Sequence, residues 1–271
     1  MSGQRCPASL TLATFNIHLG VDGWGRPFDV VGECRNLDAD LLIMQESWAP
    51  DDGSPSTATV VAGQLGYSVV ADVGLAHGRL FDPHVTASAR WGPPIGPWRT
   101  SFRLDDEHWR LSPDRAGSRY VDGTWGLAML SRLPVHRSTV IPLKKLRRDA
   151  ARRVVIGCDI ELEGGPLAVF GTHMSHITHG SHAQYRLLRD LLPPPASASV
   201  LAGDMNLWGP PVNSYLRGWR RAVTVRTWPA FRPHSQLDHV LITPPVSVLD
   251  ARAGAFAGSD HLPVVVTLSV D

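Results

Sequence analysis

The chain has 271 residues, 43% of them hydrophobic and 19% charged, a composition that excludes a disordered or fibrous protein. Its 26 Lys and Arg nearly balance its 25 Asp and Glu, so the net charge of +1 disfavours a dedicated non-specific nucleic-acid binder, although a local basic patch is still compatible with it. Because no linker-like stretch divides the sequence, we expect one domain over residues 1–271.

The cysteines and the apolar runs bear on location. Cys6, Cys34 and Cys158 are widely spaced and match no metal-finger pattern, so we expect free thiols in a reducing compartment. The N-terminus lacks an export signal, and no apolar run approaches the roughly 20 residues that a membrane span requires. We therefore expect a cytoplasmic protein without a membrane span.

Strands and helices alternate in the first part of the chain, as is typical of an α/β domain. Apolar periodicity predicts strands at 10–15, 41–44 and 67–72, and helices at 30–37 and 57–65. Further strands are predicted at 125–131, 135–141, 153–161, 167–172, 198–202, 237–243, 246–251 and 262–270, with a helix at 184–192 that three prolines stop. The four strands between 125 and 172 are expected to have antiparallel neighbours.

Residues 73–123 lose this periodicity and are rich in Gly, Pro, Arg and His, with Trp91, Trp98 and Trp109 among them. Loops of this length in a compact domain are usually functional or mobile, so we interpret the segment as a loop-rich insertion that selects the substrate. A surface insertion whose tryptophans fill a local cluster remains an equal alternative.

A buried strand from Ala198 to Ala202 ends at Gly203, where we expect a sharp turn. Asp204 and Asn206 follow two positions apart, and residues at this spacing in an extended segment face the same space. The carboxylate could orient an attacking water, and the amide could donate to an oxygen that gains negative charge. An ordinary Asx turn is the alternative.

Five other strand ends carry polar residues in the same way. None is a thiol, and an oxygen-rich set with few histidines suits Mg²⁺ or Mn²⁺ better than zinc. With Asp204 and Asn206, the complete set is Asn16, Glu46, His173 with His176, Asp238 with His239, and Asp260 with His261.

These residues lie in motifs whose order resembles that of the endonuclease/exonuclease/phosphatase (DNase I-like) superfamily, over almost the whole chain. The motifs are Phe15-Asn16-Ile17-His18, Gln45-Glu46, the strand 126–132, Thr172-His173, Gly203-Asp204-Met205-Asn206, Leu237-Asp238-His239 and Ser259-Asp260-His261. The resemblance implies an α/β (α+β) fold, a four-layer sandwich of two packed mixed β-sheets flanked by helices, with the site at one end.

The resemblance also implies a task for each polar strand end. Glu46, with Asn16 and Asp260 nearby, would hold Mg²⁺ or Mn²⁺, which polarises a phosphoryl oxygen. This metal site would lie beside the catalytic residues.

Asp204 would orient or deprotonate the attacking water, and Asn206 would donate to the phosphate. Asp238 would pair with His261 and favour its imidazolium form, which stabilises the transition state or acts as an acid. His173 matches the second histidine of the DNase I-like and sphingomyelinase-like branches, so the resemblance favours those branches.

Three further assignments are less specific. Asp72 falls where a carboxylate partner of His173 would lie, or it is a solvated strand end. His176 could reach a phosphate oxygen, or it is a surface histidine. The basic run Lys144, Lys145, Arg147, Arg148, Arg152 and Arg153 could bind a polyanion or an anionic membrane surface, or it is a solvated loop; Arg153 is our candidate for phosphate binding.

The sequence therefore predicts a metal-dependent phosphoesterase that hydrolyses a phosphodiester by direct in-line attack of water. The alternatives are an endonuclease or exonuclease that acts on DNA or RNA, and a non-catalytic binding protein on the same fold. No protein partner can be inferred.

Overall fold

The computed structural model describes residues 6–22, 27–81, 100–103, 109–110 and 120–271. Its strands are β1 (Leu10–Asn16), β2 (Leu41–Pro50), β3 (Ser68–Phe81), β4 (Thr100–Arg103), β5 (Trp109–Arg110), β6 (Tyr120–Ser131), β7 (Arg137–Pro142), β8 (Val154–Leu162), β9 (Gly165–His173), β10 (Ser199–Asp204), β11 (Arg220–Arg221), β12 (Asp238–Ile242), β13 (Val246–Ala253) and β14 (Val264–Val270). The α-helices are α1 (Val30–Leu37), α2 (Thr57–Leu65), α3 (His182–Leu191) and α4 (Pro211–Tyr215), and 3₁₀ turns cover His18–Gly20 and Ile177–His179. Across the described ranges, no helix has the length and apolar character needed to cross a membrane.

The strands form two mixed sheets. One has eight strands in the order β13-β14-β1-β2-β6-β3-β4-β5, and the other has six in the order β11-β12-β10-β9-β8-β7. β1 and β2 are parallel, and so are β9 and β10, while the other neighbours pair antiparallel. Each parallel pair is connected through a helix, α1 in the first case and α3 in the second, because parallel strands need a crossover connection.

Side chains that point alternately to the two faces of each strand produce the layers of the fold. Leu12 of β1, Ile43 of β2 and Val200 of β10 point into one cluster between the two sheets. Their sequence neighbours point the other way: Leu42 packs with α1 and α2, and Leu201 packs with α3 and α4. Successive side chains in a strand face opposite sides, so each sheet has a helix-covered outer face. The predicted four-layer α+β sandwich is confirmed.

The predicted loop-rich insertion at residues 73–123 begins and ends in β-strands. β3 continues through residue 81 and pairs with β6, which begins at Tyr120, before the predicted start of that strand. Register shifts between Val69 and Ala71 and between Gly74 and Ala76 interrupt the alternation, which explains why the apolar pattern fades there. Trp91 and Trp98 lie outside the described residues, so substrate selection by this segment remains a prediction.

Gly203 is required by close strand packing, since β10 continues through it to Asp204 without the expected turn. Its φ is +148°, and a Cβ added there would lie 1.9 Å from the carbonyl oxygen of Thr172 in the neighbouring strand. A side chain therefore cannot be accommodated unless β9 and β10 separate.

We expect Gly203→Ala to lower the free energy of unfolding by about 3 kcal/mol or more, because the clash is with backbone. Gly63→Ala is the matched control: Gly63 lies in α2 with no atom within 4 Å of an added Cβ, so this change should stabilise by about 0.5–1 kcal/mol. Urea unfolding of both variants measures the difference, and equal stabilities would contradict the packing argument.

Candidate active site

Strand direction brings four of the predicted residues to one edge of the sandwich. Asn16 ends β1, Glu46 lies in β2, and β1 and β2 run parallel with Asn16 opposite Gln45. His173 and Asp204 end the other parallel pair and lie opposite each other in register. Because the carboxyl ends of parallel strands share an edge, these side chains need no long loop to meet.

Two antiparallel strands bring the remaining residues to the same edge from the opposite chain direction. Asp238 begins β12 and lies opposite Asp204. His261 precedes β14, the antiparallel neighbour of β1. Ser259 fixes the approach to His261: its Oγ donates to the carbonyl of Asn16 (2.7 Å) and accepts from the backbone N–H of His261 (3.2 Å).

The carboxylate of Asp204 is the centre of the site and is only 2% exposed. Its Oδ2 accepts from Asn16 Nδ2 (3.1 Å) and lies 3.5 Å from Nε2 of His173 and 3.8 Å from Nε2 of His261. Its Oδ1 accepts from the backbone N–H of Asn206 (2.8 Å). One buried oxygen therefore contacts groups from both sheets.

The two histidines that face Asp204 have opposite electrostatic character. Burial opposes protonation of His261, yet the nearby carboxylates of Asp238 and Asp204 raise its pKa well above the usual value. Its Nδ1 lies 2.8 Å from Oδ2 of Asp238, the pair expected from the sequence. Burial, aided by Arg153 and His261, lowers the pKa of His173 well below the usual value, so that His173 is neutral.

Burial also raises the pKa of Asp204 to about 7, with Asp238 adding to the effect and His261 opposing it. A carboxyl group that ionises near neutral pH can take up and release a proton under physiological conditions. The site thus combines a poised carboxylate, a cationic imidazole and a neutral imidazole.

A buried ion pair supports His173. Nε of Arg153 donates to Oδ2 of Asp149 (2.9 Å), and its Nη1 donates to the carbonyl of His173 (3.4 Å). The guanidinium lies 5.0 Å from the ring centre of Trp125, which in turn is 5.7 Å from the ring of His173. These contacts give Arg153 a bracing role, and its role in substrate binding stays a prediction.

Asp149 is a residue that the sequence analysis missed. It is buried, and it also accepts from Ser175 Oγ and from the backbone N–H of Ala151 (3.0 Å). A signal was present, since Asp149 is the single acid within the basic run 144–153 and stands four positions before Arg153. A lone acid in a basic segment indicates a local ion pair.

The residues expected to hold a cation offer oxygen atoms. Glu46 lies at a bulge in β2 with φ of +59°, which redirects its side chain, and its Oε1 is 3.5 Å from Asn16 Nδ2. Asp260 accepts at Oδ2 from Trp228 Nε1 (3.4 Å), while its Oδ1 is buried without a hydrogen-bond partner among the described residues. The amide oxygen of Asn16 accepts from the backbone N–H of His18 (3.1 Å), and the unpartnered carboxylate oxygen of Asp260 is the kind of ligand that a hard divalent cation takes.

A second set of buried groups is also close enough to hold a metal ion. Ligand atoms of Asp204, Asp238 and His261 all lie within 4.8 Å of one another. Asp238 and His261 are already hydrogen-bonded to each other, however, which suits proton transfer. Which of the two sets would hold a cation stays a prediction.

Asn206 and His176 are each held by local contacts. Asn206 has φ of +48°, and its Nδ2 donates to the carbonyl of Met174 (2.9 Å), which leaves one amide hydrogen for a ligand. His176 is exposed and accepts at Nδ1 from the backbone N–H of Thr178 (3.2 Å), as the cap of the 3₁₀ turn. Phosphate contact by either residue stays a prediction.

Asp72 does not pair with His173, so this expectation was wrong. Its side chain accepts from Ser56 at the start of α2, and burial raises its pKa. Ala71 and Val73 pack toward the cluster between the sheets, so alternation points Asp72 to the outer face. Nδ1 of His173 is buried and has no hydrogen-bond partner in the described part of the chain.

Solved structures share this fold. An endonuclease/exonuclease/phosphatase from Beutenbergia cavernae DSM 12333 is 20% identical, with 97% of this chain and 72% of that chain covered and a TM-score of 0.64. The human Nocturnin catalytic domain is 18% identical (97% and 94% covered, TM-score 0.63). The mannosyl-6-phosphatase Bt3783 of Bacteroides thetaiotaomicron is 15% identical (96% and 99% covered, TM-score 0.60). At these identities the likeness shows the fold alone.

A comparison with curated proteins finds no match by sequence. The model of the Endonuclease/Exonuclease/phosphatase family, in contrast, matches residues 13–261, from β1 to His261. The match spans most of the chain and includes the strand ends assembled around Asp204, and the chain therefore belongs to the Endonuclease/Exonuclease/phosphatase family.

Proposed function

We propose that the protein is a divalent-metal-dependent phosphoesterase that hydrolyses a phosphodiester by direct in-line attack of water, without a covalent intermediate. The observation that carries the proposal is the buried carboxylate of Asp204, which lies between Asn16, His173 and the His261–Asp238 pair. Family membership supports phosphoester hydrolysis, and the solved structures that share the fold include a mannosyl-6-phosphatase.

Asp204 would activate the nucleophile. With a pKa of about 7 its carboxylate can accept a proton from water at neutral pH, and the N–H groups of Asn16 and Asn206 hold it in place. Neutral His173 would orient the same water, since its Nε2 lies 3.5 Å from the carboxylate oxygen. The base and its orienting groups are therefore fixed before substrate binds.

His261 would stabilise the negative charge that develops during the reaction. Its imidazolium, maintained by Asp238, can donate from Nε2 to a phosphoryl oxygen or to the leaving group as negative charge develops there. The remaining amide hydrogen of Asn206 would donate to the same phosphate.

Asn16, Glu46 and Asp260 would hold Mg²⁺ or Mn²⁺ through their oxygen atoms. Such a cation supplies Lewis-acid polarisation of a phosphoryl oxygen and neutralises developing charge. The unpartnered Oδ1 of Asp260 and the bulge at Glu46 support this donor set.

A cytoplasmic location belongs to the same proposal. The three cysteines are unpaired, and burial raises the pKa of the Cys34 and Cys158 thiols to about 12. Thiols of this kind resist oxidation because little thiolate is present.

A nuclease is the second candidate, and one surface feature favours it. Residues 207–237, which separate Asn206 from Asp238, contain five arginines and no acidic residue. Trp208 and Phe231 in this stretch are 53% and 80% exposed, and aromatic and arginine side chains are the groups on which unpaired bases stack. A nuclease requires affinity for random oligonucleotides that falls steeply with salt, whereas an enzyme for small diesters does not.

We expect Asp204→Asn to lower kcat on bis(4-nitrophenyl) phosphate by about 10²–10⁴-fold, because the general base is lost. Folding should not suffer. The pKa of Asp204 rises from its ordinary 3.8 to about 7 in the folded protein, so ionisation costs stability as pH rises through this range. At pH 8 the melting temperature of the variant should equal or exceed that of wild type; a large fall with the rate intact would contradict the assignment. Asp190→Asn, an exposed change on α3, is the control.

The pH profile of kcat/KM should be bell-shaped. Activity should rise with pH near 7 as Asp204 loses its proton, and it should fall at a pH well above the ordinary histidine range as His261 loses its own. Asp238→Asn removes a carboxylate that raises the pKa of His261, so the alkaline limb should move to lower pH. Steady-state rates across pH measure this, and an unmoved alkaline limb would exclude His261 as its origin.

Chelation by EDTA should abolish hydrolysis, and Mg²⁺ or Mn²⁺ should restore it. Glu46→Gln should raise the half-maximal Mn²⁺ concentration about tenfold or more, since a charged ligand is lost. Glu163→Gln, an exposed change in the β8–β9 turn, should leave that concentration unchanged. Full activity in EDTA would refute the metal requirement.

A further inference from the structure

A cavity of about 710 Å³ lies beside the segment that follows His173. Two loops form its walls, the basic run between β7 and β8 and the segment between β9 and α3. The side chains that matter for its chemistry are Leu146, Arg147, Arg148, Ile177, His179 and His182.

The lining is cationic, and no Asp or Glu contributes to it. Arg147 is exposed and makes no hydrogen bond or ion pair with any residue that the structure describes. The guanidinium groups of Arg147 and Arg148 carry like charges on one wall of this cavity, which favours an anion between them. The basic run thus divides in two: Arg153 is buried and paired with Asp149, whereas Arg147 and Arg148 face this cavity.

Helix α3 adds donors at the same place. Its ten residues begin at His182, and the capping residue Ser181 makes no side-chain hydrogen bond to the first turn. Ser181 is fully buried between two residues that line the cavity, and its Oγ has no partner within the described ranges. Gly180 and His182, which flank Ser181, line the cavity, so α3 begins at the cavity wall, and the positive end of a helix favours an anion near it.

Hydrogen bonds connect the segments that form the cavity walls to residues of the candidate active site. Nδ2 of Asn206 donates to the carbonyl of Met174, and Ser175 donates to Asp149. Across the walls, Gln184 of α3 donates to the carbonyl of Lys144 (2.9 Å). Ile177 is four residues after His173, so their Cα atoms are at most about 14 Å apart. A group bound in the cavity can therefore belong to the same molecule as the phosphate that is cleaved.

We propose that this cavity binds a second anionic group of the substrate, a terminal phosphate monoester, while the diester is cleaved beside Asp204. The inference rests on the proposed phosphodiesterase activity. The substrate class is then a phosphodiester that also carries a terminal phosphate. A doubly charged group suits two arginines and a helix start better than a singly charged internal diester does.

A kinetic comparison tests the proposal. The thymidine dinucleotide with a 5′-phosphate should be cleaved with about tenfold higher kcat/KM than the same dinucleotide without it, as expected for charge-assisted hydrogen bonds. In the double variant Arg147→Gln, Arg148→Gln this ratio should fall to about one. Arg152→Gln is the matched control, an exposed arginine of the same run outside the cavity lining, and should keep the ratio.

Two results would overturn the proposal. A ratio that survives in the double variant would place the second phosphate elsewhere. If the unphosphorylated trinucleotide instead shows the same increase in kcat/KM, and loses it in the same variant, that result would show that the cavity binds an internal diester of a nucleic-acid backbone.

A measurement without turnover separates this inference from the proposed activity. Crystals of the wild-type protein soaked in selenate should show an anomalous peak between Arg147 and His182, and crystals of the double variant should not. Absence of the peak in wild type would refute the anion site. If the peak is present but the protein hydrolyses no diester, the proposed function and the terminal-phosphate assignment are refuted, and the anion site stands.

Discussion

The geometry of the site depends on one buried carboxylate. Asp204 is 2% exposed, and a charge in such a place must be compensated by hydrogen bonds or by an opposite charge. The compensation comes from both sheets: Asn16 belongs to the first, the backbone of Asn206 follows the second, and His261 precedes the strand beside β1. The two sheets must therefore meet at this edge for the charge to be tolerated. The packing of the two sheets thus determines the geometry of the site.

The surroundings of Asp204 also separate two chemically identical side chains. His173 and His261 place Nε2 at 3.5 and 3.8 Å from the same oxygen, yet one is held neutral and the other cationic. The two rings differ in their charged neighbours. The carboxylate of Asp238 contacts His261, whereas the guanidinium of Arg153 lies near His173. Environment thus sets the protonation of each group, and acid and base roles can coexist within a few ångströms.

In the proposed function, the loops around this centre would select the substrate. Strand ends hold the candidate catalytic groups, and the segments beyond them differ in chemistry: the loop after Asn206 exposes aromatic and arginine side chains, and the loop after His173 borders a cavity lined by two arginines. Such a division is expected where a rigid sandwich supports many phosphoesterase activities, because loops can change without disturbing the strands. Family membership therefore defines the reaction class more firmly than the substrate.

The sequence by itself determined the succession of strands and helices along the chain and the polar strand ends, because alternation and the point where an apolar run stops are local features, and its family resemblance implied the four-layer sandwich. Only the tertiary structure decided which side chains meet. Asn16 and Asp204 are 188 positions apart, and bulges in β2 and β3 redirect Glu46 and turn Asp72 to the outer face. The brace from Asp149 to Arg153 and the cationic cavity likewise arise from loop packing. Hydrogen bonds, burial and pKa depend on neighbours in space, and one extra residue in a strand reverses the face that every later side chain occupies.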